Sequence, residues 1–304
     1  MKITNQELQQ QLKLLRLPQP DSHKGQNGKL LIIGGSQLFH AASRWSLDIA
    51  SQFVDMVFYA SVPSNNQLIL KAKQNFWNGI VVAREDVDNY AQEADCILIG
   101  PGMERHDTNP DFDHQSSQFY LDNPPNKEEW QKDTQKITNY LLAKFSEKKW
   151  VIDAGALQML NPQLITSNCI LTPHKNELKT LAQKLNLNTN NGEELNTDSL
   201  ILEMSQLLNQ ATILLKGQID TIAYQNKLYQ IEGGNAGMTK GGTGDVLAGL
   251  LAGLYTTNEI LPSTIVASYI NKASGDWLYK KVGPFYNASA LVDTIPAVLW
   301  QQLT

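Results

Sequence analysis

Short, continuously apolar runs alternate along the chain with longer segments whose hydrophobic positions recur at helical spacing. Runs at 30–33, 56–59, 79–82, 97–99, 150–152, 170–171 and 213–215 are rich in Ile, Leu and Val. They lack the in-out alternation of a half-solvated strand, and so predict strands buried on both faces of a parallel sheet. Helices are predicted at 41–53, 134–145, 177–185, 197–208, 245–255 and 263–280. In 245–255, Val246, Leu247, Leu250, Leu251 and Leu254 form one apolar face. Ala248, Gly249, Ala252 and Gly253 keep another face narrow enough for close packing. Two further runs, 221–224 and 228–231, flank Gln225-Asn226-Lys227 and read as a hairpin, which makes the sheet mixed at one end. The pattern is that of an α/β fold in one domain spanning 1–304.

Between 104 and 133 the composition shifts to His, Asp, Asn, Pro, Ser and Gln with a Pro124-Pro125 break. This segment reads as an exposed insertion, either a lid or a surface loop without a role. His106 and His114 lie in it, and without cysteine or a second close histidine pair they predict no metal site.

Composition narrows the function classes. The chain has 304 residues, 42% of them hydrophobic, enough for a large core. A formal net charge of -5 provides no general attraction to nucleic acid or to an anionic membrane. Cys96 and Cys169 sit inside apolar runs, which predicts buried thiols in a reducing compartment. Neither a signal-peptide pattern nor an apolar run of about 20 residues is present, and the reading is a soluble, cytoplasmic protein.

Most of the unusual motifs fall directly after a predicted strand: Gly34-Gly35-Ser36, Gly100-Pro101-Gly102, Asp153-Ala154-Gly155, Thr172-Pro173-His174 and Lys216-Gly217. In open parallel sheets ligands bind beyond the carboxyl ends of the strands, so these elements should share one edge of the molecule. Gly241, Gly242 and Gly244 lead into the 245–255 helix, a turn that can gather backbone N–H groups around a phosphate at the positive end of the helix. Asp245 is then either a helix cap or a base that accepts a proton during phosphoryl transfer. Lys216 either meets phosphate or escapes to solvent, and Glu177 either faces the crevice with His174 or is an ordinary first-turn residue.

Together these residues resemble the ribokinase-like NAD(P)H-hydrate dehydratases. The matching pieces are residues 23–36 with His23-Lys24-Gly25, Ile99-Gly100-Pro101-Gly102, Val151 to Leu157, Thr172-Pro173-His174-Lys175-Asn176-Glu177, Leu215-Lys216-Gly217 and Gly234 to Gly249. The resemblance implies a ribokinase-like three-layer α/β/α sandwich with a mostly parallel central sheet. It also implies dehydration of hydrated NADH and NADPH driven by ADP or ATP with Mg2+, in which a phosphorylated hydroxyl leaves as phosphate. By motif, Asp245 would be the base and a substrate contact, with Ala42, Gly102 and His174 lining the hydrate pocket. Lys216, Gly217, Gln218, Ile219, Asp220, Gly242, Thr243 and Gly244 would bind the nucleotide, and Glu177 would reach the metal through water. A homo-oligomer, a tetramer in this family, and a functional link to an NAD(P)H-hydrate epimerase are also implied. Gly155, Glu104 and Lys240 depart from the family pattern, where Asp, Gly and Thr are usual. Two alternatives remain open: a small-molecule kinase of the same superfamily, and a non-catalytic nucleotide-binding relative.

Overall fold

The computed structural model describes residues 2–105, 115–187 and 197–304. His106, His114 and part of the 104–133 segment lie outside them. Nine strands form one sheet: β1 Lys29–Ile33, β2 Met56–Ala60, β3 Ile80–Val82, β4 Cys96–Ile99, β5 Lys149–Ile152, β6 Cys169–Leu171, β7 Thr212–Leu215, β8 Asp220–Tyr224 and β9 Lys227–Ile231. Their order is β3-β2-β1-β4-β5-β6-β7-β8-β9. From β3 across to β7 all pairs are parallel, whereas β8 and β9 pair antiparallel as a hairpin. The sheet is thus mostly parallel with one mixed end, as the patterning predicts.

Alternate residues of each strand feed two cores. Leu30, Ile32 and Leu98 pack beneath helices Asn5–Lys13, Ala41–Ala50, Thr243–Thr257, Ile260–Val282 and Ala288–Leu303. Leu31, Ile33 and Ile97 pack beneath Val87–Glu93, Thr134–Lys144, Lys175–Lys184 and Thr197–Leu207. Burial on both faces explains why these strands are uniformly apolar. Cys96 and Cys169 are buried and free on β4 and β6, and burial pushes both thiols up, Cys169 to about 11. Among the described residues no helix is long and apolar enough to cross a membrane.

Several elements escape the periodicity reading. Helix Asn5–Lys13 starts with a capping box, in which Thr4 and Glu7 bond each other's backbone N–H. Helix Ala288–Leu303 contains Pro296, a residue that argues against a helix interior. Proline leaves the carbonyl four residues earlier without its usual donor, and here Gln52 Nε2 donates to Val292 O at 3.4 Å. The 104–133 segment contains helices Ser117–Asp122 and Glu129–Lys132, anchored by buried Tyr120 and Trp130.

Helix Thr243–Thr257 lies against Ala41–Ala50 with backbone in contact. A Cβ on Gly249 would sit 2.6 Å from both Cα and O of Ser46, whereas one on Gly253 would meet Phe53 Cβ at an ordinary 3.4 Å. Gly253→Ala should therefore raise stability by about 0.5–1 kcal/mol through helix propensity. Gly249→Ala should lower it by about 1–3 kcal/mol through overpacking. Urea midpoints of the two variants test this, and equal shifts would refute the contact.

Candidate active site

Strands β1, β4, β5, β6 and β7 are consecutive neighbours and parallel, so the motifs after them lie side by side on one edge. The chain leaves β1 toward β2 and β3, then returns to β1's other side as β4. Open α/β sheets bind ligands at such a reversal. Gly102 (φ +72) follows β4 there, and a Cβ on it would lie 3.0 Å from both Ala42 Cβ and Phe39 O. Ala42 and Gly102 are thus brought together. The Gly34-Gly35 turn beside them has its donors committed, Gly34 N to Ala60 O and Gly35 N to Pro101 O. Its carbonyls accept from Arg84 Nη2 at 3.0 and 2.9 Å. Arg84 is a buried cation that the sequence reading passed over. Burial lowers its pKa to about 10, and it fixes the turn from beneath.

Helix Thr243–Thr257 begins two residues before the predicted start, with Gly242 as its N-cap at φ +98. A Cβ on Gly242 would strike the Trp45 ring at 2.4 Å, so both conformation and space require glycine. Asp245 is consequently the third residue of the helix, and the cap makes no side-chain hydrogen bond. Ser46 Oγ donates to Asp245 O at 2.8 Å, tying Asp245 to the helix that carries Ala42. Burial, then the charge of Asp153, and more weakly Glu177, push the Asp245 carboxyl up to about 7 against the opposing pull of Lys216. A carboxyl poised there can accept a proton near neutral pH.

Lys216 directly follows β7 and does not escape to solvent. Its Nζ donates to Asp153 Oδ1 at 2.6 Å and lies 3.7 Å from where a Cβ on Gly244 would stand. Burial disfavours its ammonium, but Asp153, Glu177 and Asp245 outweigh burial and hold its pKa above that of free lysine. His174 pairs with Lys216 as an isolated parallel bridge, and Lys216 N donates to Pro173 O at 2.8 Å. His174 is also the N-cap of Lys175–Lys184: its Nδ1 accepts from Asn176 N and Glu177 N, and Glu177 Oε2 accepts from His174 N. Glu177 is buried, and its Oε1 lies 3.4 Å from His174 Nε2.

Beside this cluster opens a cleft of about 700 Å³. Lys216, Gly217, Gln218, Asp220, Thr243 and Gly244 line it, whereas Ile219 and Gly242 do not. Ile219 is exposed at the tip of its turn, and Gly242 is packed beneath Trp45. The Asp220 carboxylate is occupied within the protein, accepting from Gly217 N at 2.9 Å and Ser268 Oγ at 2.7 Å. It shapes the turn. Met238, inside the Gly234 to Gly249 motif, also lines the cleft, and so do Asn271 and Lys272, which were not singled out from the sequence because they come from a helix with no local motif.

The three departures from the family pattern have physical accounts. A Cβ on Gly155 would lie 2.3 Å from Met103 O, so this backbone admits no aspartate there. Lys240 turns its amine to Pro284 O, 5.3 Å from the Tyr286 ring centroid, and does not line the cleft. Glu104 lies on the side of Arg84, whose charge it favours. His23-Lys24-Gly25 precedes β1 and belongs to the opposite edge of the sheet. There Gly25 N and Asn27 N donate to Asp55 Oδ2 at 2.8 and 3.0 Å.

Residues 30–297 match the family described as NAD(P)H-hydrate dehydratase. A bifunctional NAD(P)H-hydrate repair enzyme from Methanocaldococcus jannaschii is 33% identical over 95% of this chain and 51% of its own length. The chain spans about half the length of several such relatives. An ADP-dependent (S)-NAD(P)H-hydrate dehydratase from Cenarchaeum symbiosum is 28% identical over 92% of this chain and 91% of its own. Among solved structures, a ribokinase-like superfamily protein from Enterococcus faecalis shares the fold, with a TM-score of 0.77 at 22% identity over 99% of this chain and 96% of its own. Matched by the family over most of its length, and 33% identical to one relative along nearly all of it, the chain belongs to the NAD(P)H-hydrate dehydratase family.

Proposed function

We propose that this chain is an ADP- or ATP-dependent dehydratase that returns (S)-hydrated NADH and NADPH to the reduced cofactors. One observation carries the reading: Asp245, raised to about 7, directly follows Gly244 on the wall of a cleft of about 700 Å³, is tied through Ser46 to the helix that carries Ala42, and lies in the field of the Lys216 ammonium. The cleft is of a size that holds a nucleotide. Asp245 takes the proton of the hydrate hydroxyl as the terminal phosphoryl group moves onto that oxygen. Lys216 and the positive end of helix Thr243–Thr257 stabilise the charge on the transferring group. Phosphate then departs with its bonding electron pair, and loss of a ring proton restores the double bond.

Magnesium suits this arrangement as a companion of the nucleotide. Among the described residues no three His, Cys, Asp or Glu side chains group to hold a metal directly. Mg2+ commonly keeps its waters and binds through substrate phosphates, and by the family resemblance Glu177 would meet it through water. When bound it would neutralise phosphate charge. The family resemblance adds a homotetramer, with an epimerase to supply the reactive epimer; the bifunctional names of the longer relatives support that link.

Purified protein mixed with hydrated NADH, Mg2+ and ADP or ATP should regain the absorbance of reduced nicotinamide; no recovery with either nucleotide rejects the reading. Since the base must be ionised, kcat/KM should fall as pH drops through about 7. Asp245→Asn should cut turnover by about a hundred- to ten-thousand-fold. The same variant should be more stable than the wild type. A carboxyl whose folded pKa is raised from 3.8 to about 7 weakens the fold progressively as pH rises across that interval, and fully above it. Removing the charge should raise stability at pH 8 by about 1 kcal/mol or more. That gain should vanish near pH 4, as thermal melts at the two pH values would show.

A further inference from the structure

Asp153, at the end of β5, is only 1% exposed. Its Oδ1 accepts from Lys216 Nζ at 2.6 Å and from Thr172 Oγ1 at 2.7 Å. Burying a carboxylate is costly unless partners of good geometry meet it. The backbone around it is tightly held. A Cβ on Gly100 would stand 1.8 Å from Asp153 O, and one on Gly155 2.3 Å from Met103 O. Ala154, the next residue, has φ +45, a left-handed conformation that is strained for a residue bearing a Cβ. Strain and close approach together fix the position of one carboxylate.

What that carboxylate holds is the Lys216 ammonium, which lies between Asp153 on one side and Gly244-Asp245 on the other. The charged groups that act on Asp245 are Asp153 beyond β5, Lys216 beyond β7 and Glu177 from helix Lys175–Lys184. Helix Ala41–Ala50 approaches it with the hydroxyl of Ser46, while its Arg44 is paired with Asp48 at 2.5 Å. Lys240, in the same glycine turn, is turned to Pro284 O.

We infer that Asp153 is a positioning residue: by holding the Lys216 ammonium in its own hydrogen bond, it keeps that cation from pairing with Asp245 and presents it to the transferring phosphate. The inference rests on the dehydratase reading. Without Asp153, Lys216 would turn to Asp245, leaving a weaker base and a displaced phosphate contact. The two carboxylates near Lys216 therefore have different tasks, Asp153 orienting the ammonium and Asp245 accepting a proton.

The test is the pH profile of kcat/KM for Asp153→Asn and Asp153→Ser, measured on hydrated NADH with ADP and Mg2+. The acid limb should move down from about 7 by one unit or more, and the KM for ADP should rise about tenfold. In a Lys216→Met background, Asp153→Asn should raise that KM no further, because the effect runs through Lys216. An unmoved acid limb in a folded, active variant overturns the inference. So does failure of both variants to fold, which would make the carboxylate purely structural. Wild-type turnover tests the underlying reading separately. Were turnover absent, only that reading would fall, and ADP affinity of the same variants, expected to weaken about tenfold, would decide the role of Asp153.

Discussion

The site depends on the closeness with which helix Thr243–Thr257 lies on helix Ala41–Ala50. Gly249 brings the two backbones together at Ser46, leaving no room for a methyl group. That contact sets the height of the helix above the sheet edge, and therefore where its first turn projects. Ser46 Oγ then bonds Asp245 O, and Gly242 closes under Trp45. A longer side chain at Gly249 would lift the helix and take Asp245 away from Lys216 and Asp153. The packing of an apolar helix and the placement of the Asp245 carboxylate are one constraint.

The parallel sheet supplies the opposite wall. Because β1 and β4 to β7 run the same way, five loops reach one edge, and their residues meet without being near in sequence. Asp153, His174, Lys216 and Asp245 come from four separate segments. Packing them raises the basicity of Asp245, since burial and Asp153 outweigh Lys216. The same environment that raises Asp245 toward neutrality also makes its ionised form a source of instability.

Glycines at the edge have different physical reasons, and only some concern ligand. Gly100 and Gly155 exist for close packing around Asp153 and Met103, and Gly242 for a left-handed cap beneath an indole. Gly34 and Gly35 hold a turn whose amides and carbonyls are satisfied by protein, with Arg84 beneath. Gly241 alone in the turn before helix Thr243–Thr257 has open space around it. A glycine-rich sequence is therefore compatible with a cradle, but here most of its members are packing devices.

The sequence by itself determined the strand run, the parallel class of the sheet, the hairpin at its end and the shared edge of the motifs, because continuous apolarity and strand-end glycines are local signals. It left the start of the Asp245 helix two residues out, since an αL glycine cap carries the boundary without a side-chain signature. Helix Ala288–Leu303 was not legible because its proline is compensated by Gln52, far away in the chain. Tertiary structure alone decided that Asp245 is no cap, that Lys216 is held by Asp153, that Lys240 turns from the cleft, and that the His23-Lys24-Gly25 motif serves the opposite edge. Each of those depends on distances between segments remote in sequence, and on the burial that gives a charge its strength.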